Sequence, residues 1–338
     1  MGMTEPLVVG VDGGNSKTDV ALATPDGRTL AMVRGSGSSP DKLGDESAAQ
    51  VITDLVEAVR QEANAAAAPI GRLSAFLAGL DLPEDVPRFS AVLTRRWPEA
   101  DVHVDNDAMA ALLAGTGGTA GVAVVCGAGI NAVGLGAAGQ RASFRSLGAL
   151  SGDWGGGLGL GRTVLWHAAR AEDGRGPRTR LAELTKQHFD VHSIDEVVMA
   201  LHAGKLAETR LAELVDELFR ADDEADPVAV SVVGRLAEEI AAMTRVMLDR
   251  TQLRGTGARV VLAGGVLTGG RDRLDKLIDE ALYRVDPTSS LVRLDVPPVA
   301  GALAHALPEG LPDRERSRIK EMSQDARRYP AAAEGVVT

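Results

Sequence analysis

Residues 7–24, LVVGVDGGNSKTDVALAT, place two runs of β-forming residues on either side of a glycine turn. Leu7 to Asp12 and Asp19 to Thr24 are predicted strands, because aliphatic and β-branched residues fill both runs and Gly13 and Gly14 separate them. A third strand, Arg28 to Arg34, follows through Pro25, Asp26 and Gly27, residue types that preset a tight turn. An antiparallel meander therefore opens the chain.

Past the meander the apolar period changes. Ala48, Val51, Ile52, Leu55 and Val59 recur at helical spacing within Ser47 to Ala68. Leu73 to Leu80 reads as a buried strand, Glu84 to Trp97 as a helix, and Val102 to Asp105 as a parallel strand that leads into a helix from Asp107. Together these make a mixed sheet with helices on its faces. The order then restarts, with Gly121 to Cys126, Asn131 to Gly136 and Arg141 to Phe144 repeating strand, glycine loop, strand, turn, strand. Gly13 precedes Gly27 by 14 residues and Gly127 precedes Gly139 by 12, a match that suggests a duplicated architecture without proving it. A glycine-dense stretch from Gly152 to Gly161 comes next, then a helical region from Arg162 to about Leu253 with Leu236, Ile240, Met243, Val246 and Met247 on one stripe. Arg259 to Ala263 is the last predicted strand and runs into Gly264 and Gly265, while Pro297 and Pro298 open a helix to about Leu307. The charged, alanine-rich remainder reads as a loosely docked tail.

Composition narrows the function. The 338 residues, 45% of them hydrophobic, can bury two cores. No apolar run reaches about 18 residues, and the N-terminus enters strand-like sequence without a basic segment or cleavage site, so a cytoplasmic protein with no membrane partner is expected. Cys126 is the lone cysteine, which excludes an internal disulfide framework or a two-cysteine zinc site. With a net charge of -11 and arginines scattered among acids, the footprint of a nucleic-acid binder is missing. Small molecules are the expected partners.

Three glycine turns each follow a short apolar strand: DGGNSKT at Asp12 to Thr18, CGAGIN at Cys126 to Asn131, and AGGV at Ala263 to Val266. Such turns bring bare backbone amides within reach of a phosphate, and Ser16, Lys17 and Thr18 add hydroxyl and ammonium donors. Singly, each turn is as well explained by an ordinary hairpin or strand-to-helix connection. A GxxxxGK[ST] loop is absent, and no G-x-G-x-x-G follows the first strand, so the P-loop and Rossmann readings fail.

In order and spacing the chain resembles the actin, Hsp70 and sugar-kinase superfamily, and within it the N-acetylglucosamine kinase-like, or BadF/BadG/BcrA/BcrD ATPase, family. The resemblance is carried by VVGVDGGNSKTDVAL, VDNDAMAAL (Val104 to Leu112), GAGINAVG (Gly127 to Gly134), LSGDWGGG (Leu150 to Gly157), VVLAGGVL and PPVAGAL. It implies an α/β, actin-like (ribonuclease H-like) duplicated fold, each half a five-stranded mixed sheet with helices on both faces, and a cleft between the lobes. The implied domains are 1–115, rejoined by a helix at about 298–310, then 116–297 with a helical insertion, and a charged tail at 311–338. It also implies ATP and Mg²⁺ as cofactors. By the same resemblance Gly13, Gly14, Asn15, Ser16, Lys17, Thr18, Gly127, Ala128 and Gly129 bind ATP phosphates, and Gly264 and Gly265 lie by the adenosine. Asp12 holds the metal through water, and a single carboxylate suffices because magnesium keeps most of its waters. The helices from Asp107 and Pro298 act as hinges.

Asp105, Asn106 and Asp107 occupy a strand-to-helix junction, where any of the three suits a helix N-cap. On spacing alone Asp105 and Asp107 are equal candidates for a general base; the resemblance selects Asp107. Asn131, Ser151 and Asp153, with Asp107, match sugar-contacting positions, and Asp153 also suits the N-cap of a helix from Gly155 to His167. His167, His188, His192 and His202 fall in helical sequence without ligand spacing. Lys17 serves equally as a phosphate contact or a solvated loop lysine. Ser39 and Pro40 stand where relatives carry a sugar-binding asparagine, and Trp154 is either the floor of a sugar site or a core residue. The leading expectation is ATP-dependent phosphorylation of an amino sugar such as N-acetylglucosamine at C6. Two alternatives are an ATPase activator with an iron-sulfur cluster shared between subunits, which one cysteine per chain disfavours, and a sugar-sensing regulator without turnover. A homodimer is compatible with all three.

Overall fold

The computed structural model describes residues 5–308, 310–325 and 327–328. Strands β1 (Leu7–Gly13), β2 (Thr18–Ala23), β3 (Thr29–Gly35), β4 (Ile70–Leu77) and β5 (Asp101–Asn106) form a sheet in the order β3-β2-β1-β4-β5. β2 is antiparallel to β1 and to β3, with Asp12 opposite Asp19. β4 is parallel to both β1 and β5. A second sheet comprises β6 (Gly121–Cys126), β7 (Ile130–Leu135), β8 (Arg141–Ser143), β9 (Arg259–Ala263) and β10 (Ser290–Arg293) in the order β8-β7-β6-β9-β10. The two orders correspond strand for strand, as the restart of the pattern at Gly121 predicts. A two-residue strand, β11 (Arg327–Arg328), pairs parallel with β3.

Side-chain alternation explains why the first sheet is covered on both faces. Val9, Val11, Val20, Leu22, Ala31 and Val33 enter one core, with Ile52, Leu55 and Val59 of the helix Asp45–Glu62 and Phe89 and Leu93 of the helix Asp85–Arg96. The intervening Val8, Ala21, Ala23 and Met32 enter another, against Val299, Ala300 and Leu303 of the helix Val299–Ala306. Period 2 thus sends neighbouring residues to opposite cores. The chain divides into two compact units, one built from residues up to 123 with 133–141 and from 294 onward, the other from 124–132 and 142–293. No helix among the described residues is long and apolar enough to cross a membrane.

Several expected boundaries shift. The helix from Ser47 stops at Glu62, short of Ala68. The long helical region holds the α-helices Gly156–Glu172, Arg180–Phe189, Ile194–His202, Leu214–Asp223 and Pro227–Arg250, and His192 lies between two of them rather than in helix. The helix Asp272–Val285 and strand β10 follow β9, where no element was expected. The expected tail also changes character, because Asp313–Asp325 is a helix with Ile319 fully buried in the first unit's core. Its Glu315 carboxylate accepts a 2.9 Å hydrogen bond from the backbone N–H of Thr29. Residues 329–338 of that tail lie outside the described residues.

Candidate active site

In the first unit β1 ends at Asp12 and Gly13, and the loop Gly14 to Lys17 turns back into β2. The Gly14 N–H closes the turn on the Lys17 carbonyl at 2.8 Å, and the Gly13 carbonyl accepts from Ala78 N at 2.8 Å. Ser38 N donates to the Gly14 carbonyl at 3.2 Å, and a Cβ on Gly37 would stand 2.4 Å from the Asn15 carbonyl oxygen. Thr18 is fully buried and gives its hydroxyl to Ser38 Oγ at 2.8 Å, so its expected role as an exposed donor is replaced by an internal bond. Asn15, Ser16 and Lys17 are the exposed residues of the turn. Lys17 Nζ lies 3.1 Å from the buried Asp19, which Arg34 also grips through Nε at 2.6 Å and Nη2 at 2.9 Å. Nothing in the sequence pattern signals this Asp19–Arg34 pair.

Asp12 is brought close to Asp107. Burial is the main force that pushes the Asp12 carboxyl up to about 8; the charges of Asp19 and Asp107 act in the same sense, and Lys17 and Arg34 oppose them. Asp107 is the first residue of the helix Asp107–Thr116 and is half-buried. Its carboxyl is raised to about 6 by burial, against hydrogen bonds from the backbone N–H groups of Ala108 and Asp107. The N-cap is Asn106, whose side chain accepts from Ala108 N at 3.0 Å, so the cap does not fall on Asp107. Asp105 is engaged elsewhere: Arg141 pairs with its Oδ2, His103 Nε2 lies 3.7 Å away, and Asn106 N donates to Oδ1 at 2.8 Å. Burial would raise the Asp105 carboxyl, but these partners together hold it below the ordinary carboxylate value.

Ser39, in the expected asparagine position, is buried, and its single hydroxyl proton is shared between the Ala78 carbonyl at 2.9 Å and Asp41. Asp81, unmarked in the sequence reading, accepts from Asn106 Nδ2 at 2.9 Å. Among the described residues no group of three or more His, Cys, Asp or Glu could hold a metal ion. Magnesium fits the residues present nonetheless. Asp12 offers a hard oxygen beside other carboxylates, and a cation there would relieve the cost of its charge.

In the second unit the other two turns meet one structural seam. The Gly127 and Ala128 carbonyls accept from Gly157 N at 2.7 Å and Leu158 N at 3.1 Å, so the first turn of the helix Gly156–Glu172 is laid against the second glycine loop. Gly156 has φ 70°, and a Cβ there would stand 2.5 Å from the Gly129 carbonyl carbon. Gly264 has φ 89° and backs onto Cys126, whose carbonyl accepts from Val266 N at 3.1 Å. Arg271 holds this third turn by donating to the Gly265 and Val266 carbonyls at 3.1 and 3.2 Å, with its guanidinium 4.1 Å from the Phe219 ring centre. Burial pushes the Cys126 thiol up to about 12. Asp153 accepts from Ser151 Oγ at 2.6 Å. It does not cap the helix as expected: the N-cap is Gly155, because the intervening Gly155 at φ 130° carries the chain past the reach of that carboxylate. Trp154 has Arg235 over one face at 4.0 Å.

Two sheets of matched strand order, with glycine turns at their strand ends, define a duplicated α/β fold. The chain belongs to the BadF/BadG/BcrA/BcrD ATPase family, whose profile matches residues 9–306. An N-acetyl-D-glucosamine kinase of Dictyostelium discoideum is 25% identical over 205 residues, 58% of this chain and 64% of that protein, so the match spans just under two thirds of that relative. An N-acetylmuramic acid/N-acetylglucosamine kinase of Clostridium acetobutylicum is 23% identical over 273 residues, 81% of this chain and 88% of that one. A solved structure from Chromobacterium violaceum, provisionally described as an N-acetylglucosamine kinase, shares the fold with a TM-score of 0.71 at 24% identity, covering 88% of this chain and 98% of that one.

Proposed function

We propose that the chain transfers the γ-phosphoryl group of ATP to a hydroxyl of a small sugar, with N-acetylglucosamine or a related amino sugar, at C6, as the acceptor. The observation that carries this reading is the contrast at the VDND junction. Asp105 is neutralised by Arg141, while Asp107 is presented at a helix start with its carboxyl near 6, suited to accept a proton around neutral pH. The names of the relatives favour the same chemistry.

In this reading Asp107 takes the proton of the sugar hydroxyl as its oxygen bonds to the γ-phosphorus. The bond from that phosphorus to the β–γ bridging oxygen breaks, and ADP leaves. Asn15, Ser16 and Lys17 from the first turn and Ala128 and Gly129 from the second, all but Lys17 through backbone amides, hold the phosphates. Gly264 and Gly265 carry the adenosine, and Asp12 would hold Mg²⁺. When bound there, the ion would supply charge neutralisation at the transferring phosphoryl group. Asn131, Ser151 and Asp153 bind sugar hydroxyls, the last two already joined by their 2.6 Å bond. Ser39 is committed to the Ala78 carbonyl, so recognition of the sugar substituent does not fall to it. The iron-sulfur alternative is opposed by Cys126, the only cysteine, which is buried with a raised pKa.

A coupled ADP-release assay with N-acetylglucosamine, glucosamine, N-acetylmuramic acid, N-acetylmannosamine and glucose tests this function. Release that rises with one amino sugar supports it. Sugar-independent hydrolysis, or nucleotide binding with no turnover on any of the five, rejects it in favour of an ATPase or a regulator.

A further inference from the structure

Asp81 lies just beyond β4, outside every glycine turn and outside the VDND motif. Its Oδ1 accepts a 2.9 Å hydrogen bond from Asn106 Nδ2, a group that also donates to the Leu80 carbonyl at 3.4 Å. Asn106 Oδ1 in turn accepts from Ala108 N at 3.0 Å. The Ala108 N–H can only donate and the Leu80 carbonyl can only accept, so the Asn106 amide turns its oxygen to the helix start and its NH₂ to Leu80 and Asp81, whose Oδ1 is the nearer acceptor. The far side of this N-cap is thus braced by a residue 25 positions earlier in the chain.

We propose that Asp81 is a positioning residue for the base: acting through Asn106, it fixes the first turn of the helix Asp107–Thr116 and hence the direction in which Asp107 presents its carboxylate. The proposal rests on the reading of Asp107 as the base. Asp107 sits between the two residues that the relay joins, Asn106 and Ala108, and Ala108 N is itself one of the donors to the Asp107 carboxyl. A swing of the Asn106 amide would therefore remove the cap bond at Ala108 N and leave the first turn, which carries Asp107, less firmly fixed. Proximity is also visible in the electrostatics, since burial first, and then the charge of Asp107, push the Asp81 carboxyl up to about 7.

The test uses Asp81→Ala and Asp81→Asn in the full chain. Misplacing a catalytic group commonly costs ~10- to 10²-fold, so Asp81→Ala should lower kcat by that factor with the KM for ATP within about twofold. Asp81→Asn keeps an acceptor oxygen of the same reach and should recover most of the loss. A loss as deep in Asp81→Asn as in Asp81→Ala, or an unchanged kcat in Asp81→Ala, overturns the proposal. Hydrogen exchange at the Ala108 amide is a second readout that needs no turnover: it should speed up by ~10-fold or more in Asp81→Ala and stay near wild type in Asp81→Asn. Exchange that does not respond overturns the proposal as well. If the wild-type chain phosphorylates no sugar while Ala108 exchange responds as stated, the functional reading fails and the positioning role stands. If Asp81→Ala does not fold, Asp81→Ser, whose hydroxyl is too short to span the contact, replaces it.

Discussion

Asp105 and Asp107 stand two residues apart in different electrostatic surroundings, and their asparagine variants should part accordingly. Asp107→Asn removes the proposed proton acceptor and should cut kcat by ~10² to 10⁴-fold, leaving nucleotide affinity near normal. Stability should barely change, because Asn106 caps the helix and remains in place. Asp105→Asn leaves Arg141 and His103 without their carboxylate partner and should cost about 1–3 kcal/mol in urea unfolding, with turnover kept within about tenfold. The reverse pattern, turnover lost in Asp105→Asn and kept in Asp107→Asn, would move the base to Asp105. The sequence presents both acids at the same junction and spacing cannot separate them. What separates them is Arg141, 36 residues later, which a local reading of the motif does not reach. Asp81 was illegible for the same reason, whereas the glycine turns were legible because turn chemistry is written in consecutive residues.

The helix Gly156–Glu172 shows how an element serves a loop. Its first turn donates to carbonyls of the second glycine loop, at a spacing that only a residue without a side chain tolerates at Gly156. Gly156→Ala should destabilise the chain by about 2–4 kcal/mol, from positive φ together with a backbone clash, and should raise the KM for ATP. Gly159→Ala is the matched control, since a Cβ there meets nothing within 4 Å. In a helix interior that change should be neutral or stabilise by about 0.5–1 kcal/mol. Equal urea midpoints for the two variants would refute the contact. At this scale the sequence is read well where the period is clean, as in β1 to β5 and the duplicated meander. It is read poorly where few apolar residues carry the signal. Leu274, Ile278, Ala281 and Leu282 do follow helical spacing in Asp272–Val285, but four-residue β10 gives no alternation to read. In Asp313–Asp325 the charged residues mask Ile319, whose burial depends on a core built from strands some 290 residues earlier.

Across the whole molecule, the shifted carboxyls set how stability varies with pH. Asp12, Asp81 and Asp107 are raised from 3.8 to about 8, 7 and 6. The native state therefore holds their protons more tightly than the unfolded chain does. Their contribution is fully present below about pH 4 and is lost progressively as pH rises from there, the loss being complete only above about 6, 7 and 8 for Asp107, Asp81 and Asp12. Glu213 and Asp286 are shifted the other way, to about 2; the Arg210 side chain leads for Glu213, while for Asp286 hydrogen bonds from Thr288, Gly255 and Ser289 together outweigh the effect of burial. Their contribution is present above about pH 4 and is lost as pH falls toward 2. The metal-free molecule should consequently be most stable near pH 4 and lose stability from there upward, with Tm falling by on the order of 5 °C between pH 6 and 8.5 in EDTA. Asp12→Asn should flatten that decline, since it removes the carboxyl with the largest shift, and Mg²⁺ with ADP should flatten it in the wild type by favouring the ionised Asp12. Calorimetry across pH 4–9 with and without Mg²⁺ distinguishes these outcomes. A wild-type Tm that is level or rising from pH 6 to 8.5, or a decline of the same slope in Asp12→Asn, would show that the Asp12 charge is compensated in the metal-free protein and would remove the electrostatic reason for placing a cation beside it.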